Sequence, residues 1–112
     1  MIHRTRSARN RDLALTTNGV LLRNQARTLR AAGLHRITVS LDTLQPDRFH
    51  RLTRMDDLTS VLAGIDAAAD AGFQPLKLDT VLIRGVNDDE IVALLEFAKG
   101  AGAELRFIEY MD

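Results

Sequence analysis

The 112-residue chain has no cysteine and no tryptophan, only two prolines, and no net formal charge. Without thiols it cannot form disulfides, thiolate nucleophiles, cysteine-ligated zinc or cysteine-held iron–sulfur clusters from its own residues. Its histidines, His3, His35 and His50, lie far apart and show no metal-ligand spacing. Zero net charge supplies no overall field toward nucleic acid or an anionic membrane. No apolar run approaches the roughly 18 residues of a membrane span, and residues 1–11 hold no apolar stretch of a secretory signal. No phosphate loop, catalytic triad, paired-carboxylate spacing or metal motif is present. The expectation is a cytoplasmic protein with neither membrane nor nucleic acid as a partner.

What remains is a soluble globular composition, 46% hydrophobic and 27% charged, long enough for one domain with a core. Charge is unevenly spread. Arg4, Arg6, Arg9 and Arg11 crowd the first segment, whereas acidic residues outnumber basic ones from Lys77 onward. The basic segment has neither aromatics nor a recognition motif, so residues 1–11 are expected to be a disordered tail and 12–112 the domain.

A repeated junction organises that domain. Ala32-Gly33, Ala71-Gly72 and Ala101-Gly102 each close a helical pattern and lead into an alternating one. Glycine suits the left-handed conformation in which helices commonly stop. Leu22, Ala26 and Leu29 form one helical stripe; Leu58, Val61, Leu62, Ile65 and Ala69 a second; Ile91, Leu94, Leu95 and Ala98 a third. Asn87 followed by Glu90 predicts a capping box at the start of the third helix, and Pro46 predicts the first turn of a short helix through Phe49. Strands are expected over Asp12–Thr16, Arg36–Leu41, Leu76–Ile83 and Glu104–Tyr110. Helices between successive strands predict an α/β fold with about four parallel strands, either an open sheet or about half of a barrel. Asn18-Gly19 is a competing hairpin signal, but the residues after it follow helical rather than alternating period.

The predicted strands have two unlike faces. Leu13, Leu15, Ile37, Val39, Leu41, Leu76, Leu78, Leu82, Leu105 and Phe107 form an apolar one. Thr16, Thr38, Ser40, Asp42, Lys77, Asp79 and Arg106 form a polar one, with several groups near strand C-termini, where parallel α/β folds bind ligands. We read it as a ligand-lined lumen; the alternative is a solvated face on which Lys77 and Asp79 pair with each other. By simple alternation Glu109 falls on the apolar side, where a charge does not fit.

Several segments together resemble the GTP 3',8-cyclases, radical S-adenosylmethionine enzymes of molybdenum cofactor biosynthesis. They are Leu13–Gly19, Val39–Leu44, Pro46–Phe49, Val61–Ile65, Lys77-Leu78, Arg84–Glu90 and Arg106–Met111. The resemblance implies a partial TIM-like barrel whose lumen holds S-adenosylmethionine and the substrate GTP, with 4Fe-4S clusters in the full-length enzymes. There the cluster splits S-adenosylmethionine, and the resulting deoxyadenosyl radical takes the ribose 3' hydrogen before ribose attacks guanine C8. By the same resemblance Thr16 and Lys77 correspond to GTP contacts, and Ser40 and Met111 to S-adenosylmethionine contacts. The cluster cysteines of the family have no counterpart here, which implies an inactive fragment of the enzyme. Asp79 stands where the family usually has Asn, placing a negative charge two residues from Lys77. A non-catalytic remnant or nucleotide-binding module is the alternative reading. A half barrel would expose the edges Asp12–Thr16 and Glu104–Tyr110, so self-association is also expected.

Overall fold

The computed structural model describes residues 2–6 and 11–110, with side chains from Leu13 onward. In chain order the elements are β1 (Ile2–Arg6), β2 (Arg11–Thr17), α1 (Leu22–Ala31), β3 (Arg36–Ser40), α2 (Pro46–Thr53), α3 (Leu58–Asp70), β4 (Leu76–Leu82), a 3-10 turn (Asp88–Glu90), α4 (Ile91–Ala101) and β5 (Ala103–Glu109). All five strands join one sheet in chain order. β2 to β5 are parallel, as the strand–helix alternation predicts. Because each strand is added on the same side of its predecessor, the crossover helices stay together on one face, the winding sense of a barrel rather than of a doubly wound sheet.

Within the segment expected as a tail, Ile2–Arg6 forms a strand; Met1 and residues 7–10 lie outside the described residues. Ile2–Arg6 pairs antiparallel with β2, Ile2 opposite Leu15 and Arg6 opposite Arg11. The tail reading weighs charge and the lack of aromatics and motifs, all properties of the segment by itself. An edge strand tolerates charge readily and satisfies the backbone groups that β2 would otherwise leave open. The edge expected at Asp12–Thr16 is therefore covered, and the two outer strands are β1 and β5.

The core lies between the sheet and the helices. Ile37, Val39, Leu76 and Leu78 from the strands meet Leu22, Ala26, Val61, Ile65, Ala68, Leu94 and Ala98 from the helices, all almost fully buried. Gly64 lets α3 lie against the β2–α1 turn. A Cβ there would stand 2.7 Å from the Gly19 carbonyl oxygen and 3.0 Å from Leu22 Cβ. Gly19, at φ +82°, turns the chain from β2 toward α1, so Asn18-Gly19 makes a strand-to-helix turn and no hairpin. Leu95, placed in the apolar stripe by its spacing, is 48% exposed on α4.

The capping box does not form. Glu90 turns its carboxylate away from Asn87 and toward the loop after β3, and Asn87 N–H donates instead to the Ile83 carbonyl. A buried cluster of waiting donors outcompetes the local cap.

Candidate functional site

Alternation along β2 to β5 gives the sheet a second face with no helix on it. Register aligns its side chains in rows. Thr16 lies beside Thr38, Thr38 beside Lys77, and Lys77 beside Glu104. Two residues further on, Ser40 lies beside Asp79 and Asp79 beside Arg106. Neighbouring strands are about 4.8 Å apart, so Thr16 and Lys77 stand about 10 Å apart in one row with Ser40 in the next. Thr16 and Ser40 are exposed and Lys77 is half-buried. These three sequence-predicted site residues thus share one face. Met111 lies outside the described residues.

The face is electrostatically sorted. Arg106 grips Asp79 with a two-pronged pair, Nε to Oδ1 at 3.1 Å and Nη2 to Oδ2 at 2.8 Å. Asp79 is the sheltered partner, its side chain 17% exposed against 72% for Arg106. The carboxylate's hydrogen bonds and charge push the guanidinium pKa above its usual value. Asp79 does not pair with Lys77, whose ammonium has no ion-pair partner among the described residues. Thr38, Lys77, Asp79, Glu104 and Arg106 line a shallow cavity of about 210 Å³. Ser40 lines a different one, about 180 Å³, at the C-terminal ends of β2 and β3, walled by Asn18, Asp42, Phe49, Leu52, Met55 and Val61. One cavity is lined by charged side chains; the other combines an apolar wall with the hydroxyl residues Ser40, Thr43 and Thr53 and the Asp42 carboxylate.

Past Ser40 and Asp79 the β3–β4 ladder ends and side chains continue it. Thr80 Oγ1 donates to the Leu41 carbonyl at 2.6 Å, and Asp42 Oδ1 accepts from Val81 N–H at 2.8 Å. Asn87 bridges the widening gap, donating to the carbonyls of Asp42 and Val81 and accepting from Ile83 N–H. Partial burial raises the Asp42 pKa, opposed by the Val81 hydrogen bond. Beyond this lies Glu90, nearly buried, which accepts from Thr43 Oγ1 (2.6 Å), Leu44 N–H (2.8 Å) and Arg48 Nη1 (2.8 Å). Arg48 also holds Asp89 in a two-pronged pair, which lowers the Asp89 pKa. Both Glu90 carboxylate oxygens and the Asn87 amide are hydrogen-bonded, which ties the loops after β3 and β4 to each other.

The capping-box reading of Asn87 and Glu90 misses this network. The signal was present as four hydrogen-bonding residues, Asp42, Thr43, Asn87 and Glu90, immediately after two strand ends. What was missing was knowledge that the two ends adjoin.

Glu109, awkward in the alternation, is exposed at the open end of β5 beside Arg84, Asp88 and Tyr110, where no helix covers the sheet. As for cofactors, the chain has no cysteine, and no three His, Asp or Glu side chains converge among the described residues. This donor set does not fit an iron–sulfur cluster. No helix of the described residues is long and apolar enough to cross a membrane.

Comparison with known proteins finds close relatives. The chain is 61% identical over 102 residues to a GTP 3',8-cyclase of Acidothermus cellulolyticus, covering 90% of this chain and 28% of that protein. It is 59% identical over 101 residues to GTP 3',8-cyclase 3 of Mycobacterium bovis, covering 90% and 27%. A GTP 3',8-cyclase of Xanthomonas axonopodis pv. citri is 55% identical over 102 residues, covering 90% and 30%. The chain thus spans less than a third of the length of these curated relatives. The Radical SAM superfamily pattern itself matches residues 1–98. With four parallel strands wound in one direction beneath a single helical layer, the chain belongs to the Radical SAM superfamily.

Proposed function

We propose that this chain forms part of the barrel wall of a GTP 3',8-cyclase, with Thr16 and Lys77 facing GTP and Ser40 and Met111 facing S-adenosylmethionine. The observation that carries the proposal is the uncovered face. Lys77 is a half-buried cation without an ion-pair partner among the described residues, in one row with Thr16 and one step from Ser40. A lysine left half-buried and unpaired is supported by an anionic ligand, because desolvating a charge without compensation is costly. The Ser40 cavity, with Phe49, Leu52 and Met55 in its wall, suits a ligand with an apolar body and a polar edge.

S-adenosylmethionine would supply a radical only with an iron–sulfur cluster, which the residues of this chain do not hold. The chain's own part is therefore to bind and orient. Hydroxyls of Thr16 and Ser40 donate to or accept from ribose and base edges, and Lys77 offers a point charge to phosphate oxygens.

The test is a backbone NMR titration of the 112-residue chain with GTP and, separately, with S-adenosylmethionine. GTP should shift the amides around Thr16 and Lys77, and S-adenosylmethionine those around Ser40. Lys77→Ala should weaken GTP about tenfold and leave S-adenosylmethionine unchanged. Shifts confined to the helical layer, or none with either ligand, would refute the assignment and leave a non-binding module.

A further inference from the structure

Most polar groups lining the cavity at Ser40 are already committed to the protein itself. Thr43 Oγ1 donates to Glu90 and accepts from Gln45 N–H. Thr53 Oγ1 donates to the Phe49 carbonyl and accepts from Met55 N–H. The side-chain oxygen of Asn18 accepts from Val20 N–H. Three side-chain groups of the lining keep no hydrogen bond among the described residues. They are the Ser40 hydroxyl, the Asn18 NH2 group and the second carboxylate oxygen of Asp42, because Val81 N–H takes only Oδ1.

Asp42 is held at both ends. Its carbonyl accepts from Asn87 Nδ2 at 2.7 Å and its Oδ1 from Val81 N–H at 2.8 Å. Burial alternates from Val39 to Thr43, so Asp42 projects on the same side as Ser40. Oδ2 is not sealed in the interior, and Asp42 is the only ionisable side chain in the cavity lining. Burial raises its pKa, and the single hydrogen bond from Val81 opposes that rise. A carboxylate fixed in place, half-buried and half-satisfied does more for a ligand than for packing.

We infer that Asp42 is the specificity-determining residue of this cavity, its Oδ2 accepting from the vicinal hydroxyls of a nucleoside that carries no phosphate. The inference rests on the reading that the cavity takes S-adenosylmethionine, and it names the group that selects such a ligand. An ionised carboxylate only accepts, so the ligand must bring donors. Vicinal ribose hydroxyls bring two, one for Asp42 and one for Ser40, while the Asn18 NH2 group serves an acceptor on the ligand. Phe49, Leu52, Met55 and Val61 supply the apolar wall for a base. A phosphate on the ribose would bring only acceptors, and would set its charge against the carboxylate within a Debye length. A cationic sulfonium would meet attraction at the same place.

The test compares adenosine, 2′,3′-dideoxyadenosine and AMP on the 112-residue chain and on Asp42→Asn, following the amides around Ser40 by NMR. The substitution keeps an oxygen for Val81 N–H and turns an NH2 group toward the cavity, and unmoved amides elsewhere verify that the variant is folded. Adenosine should bind the parent about tenfold more tightly than its dideoxy analogue, the order of one charge-assisted hydrogen bond. In Asp42→Asn that preference should shrink to about threefold or less. AMP should bind the parent about fivefold more weakly than adenosine at low salt, and the variant about equally well. If adenosine shifts the Ser40 amides but the parent and the variant discriminate alike, the assignment to Asp42 is overturned and the cavity reading survives. If neither a nucleoside nor S-adenosylmethionine shifts those amides, both are overturned.

Discussion

Asp42 illustrates how one side chain can serve geometry at the expense of stability. Its carboxylate caps Val81 N–H just where the β3–β4 ladder stops, and partial burial raises its pKa above the ordinary 3.8. A raised carboxyl pKa means that the folded state takes up its proton more readily than the unfolded chain does. The contribution of Asp42 is therefore most favourable below pH 3.8 and is lost as pH rises through the interval above it, remaining unfavourable at neutrality. Asp42→Asn keeps an acceptor oxygen for Val81 and removes the charge. The variant should resist urea better than the parent at pH 7, and that advantage should vanish at about pH 3, where both side chains are neutral. Equal differences at both pH values would show that burial of charge is not the cause. Glu90 is the contrasting case. It is more deeply buried but accepts from three donors, two in the loop after β3 and one on α2, and those bonds offset its desolvation.

At the scale of elements, packing of α3 against the turn that begins α1 turns on the missing side chain of Gly64. Alanine is the better helix former by about 1 kcal/mol, yet here its methyl would press on a backbone carbonyl only 2.7 Å away. Overpacking against backbone costs about 1–3 kcal/mol or more, so Gly64→Ala should destabilise the chain. Gly100, in the last turns of α4, has nothing within 4 Å of its would-be Cβ, and Gly100→Ala should stabilise by about 0.5–1 kcal/mol. Thermal melts of the two variants should move in opposite directions. The pair also marks what periodicity can and cannot reveal. Leu58, Val61 and Ile65 announce the buried stripe of α3 by spacing, and the alternation of Ile37 with Thr38 and Val39 with Ser40 announces two unlike sheet faces. Gly64 adds nothing to an apolar stripe, although it sets how closely α3 approaches. Glu90 was assigned to a local cap because its real partners, Thr43 and Leu44, are more than forty positions away in the chain. β1 was missed for the same reason, since pairing with β2 is a property of two segments and charge a property of one.

For the molecule as a whole, the uncovered face carries a field as well as a shape, and Asp79 decides its sign. With Asp79 gripped, Arg106 is offset, and Lys77 is the cation of its row, beside Glu104. Asp79→Asn would release the guanidinium fork and leave two cations on neighbouring strands. If the face receives GTP, this change should tighten GTP about fivefold at low salt, the order expected for one added unit charge near a polyanion. In 0.5 M salt the Debye length falls to about 4 Å and the gain should largely disappear. S-adenosylmethionine, whose sulfonium is a cation, should bind no better and somewhat more weakly to the same variant. Titrations of both ligands, at two ionic strengths, separate charge from a change of shape. Opposite responses that both fade with salt identify Asp79 as an electrostatic brake on anion binding, whereas parallel responses that persist in high salt would mean that the substitution had reshaped the sheet face instead.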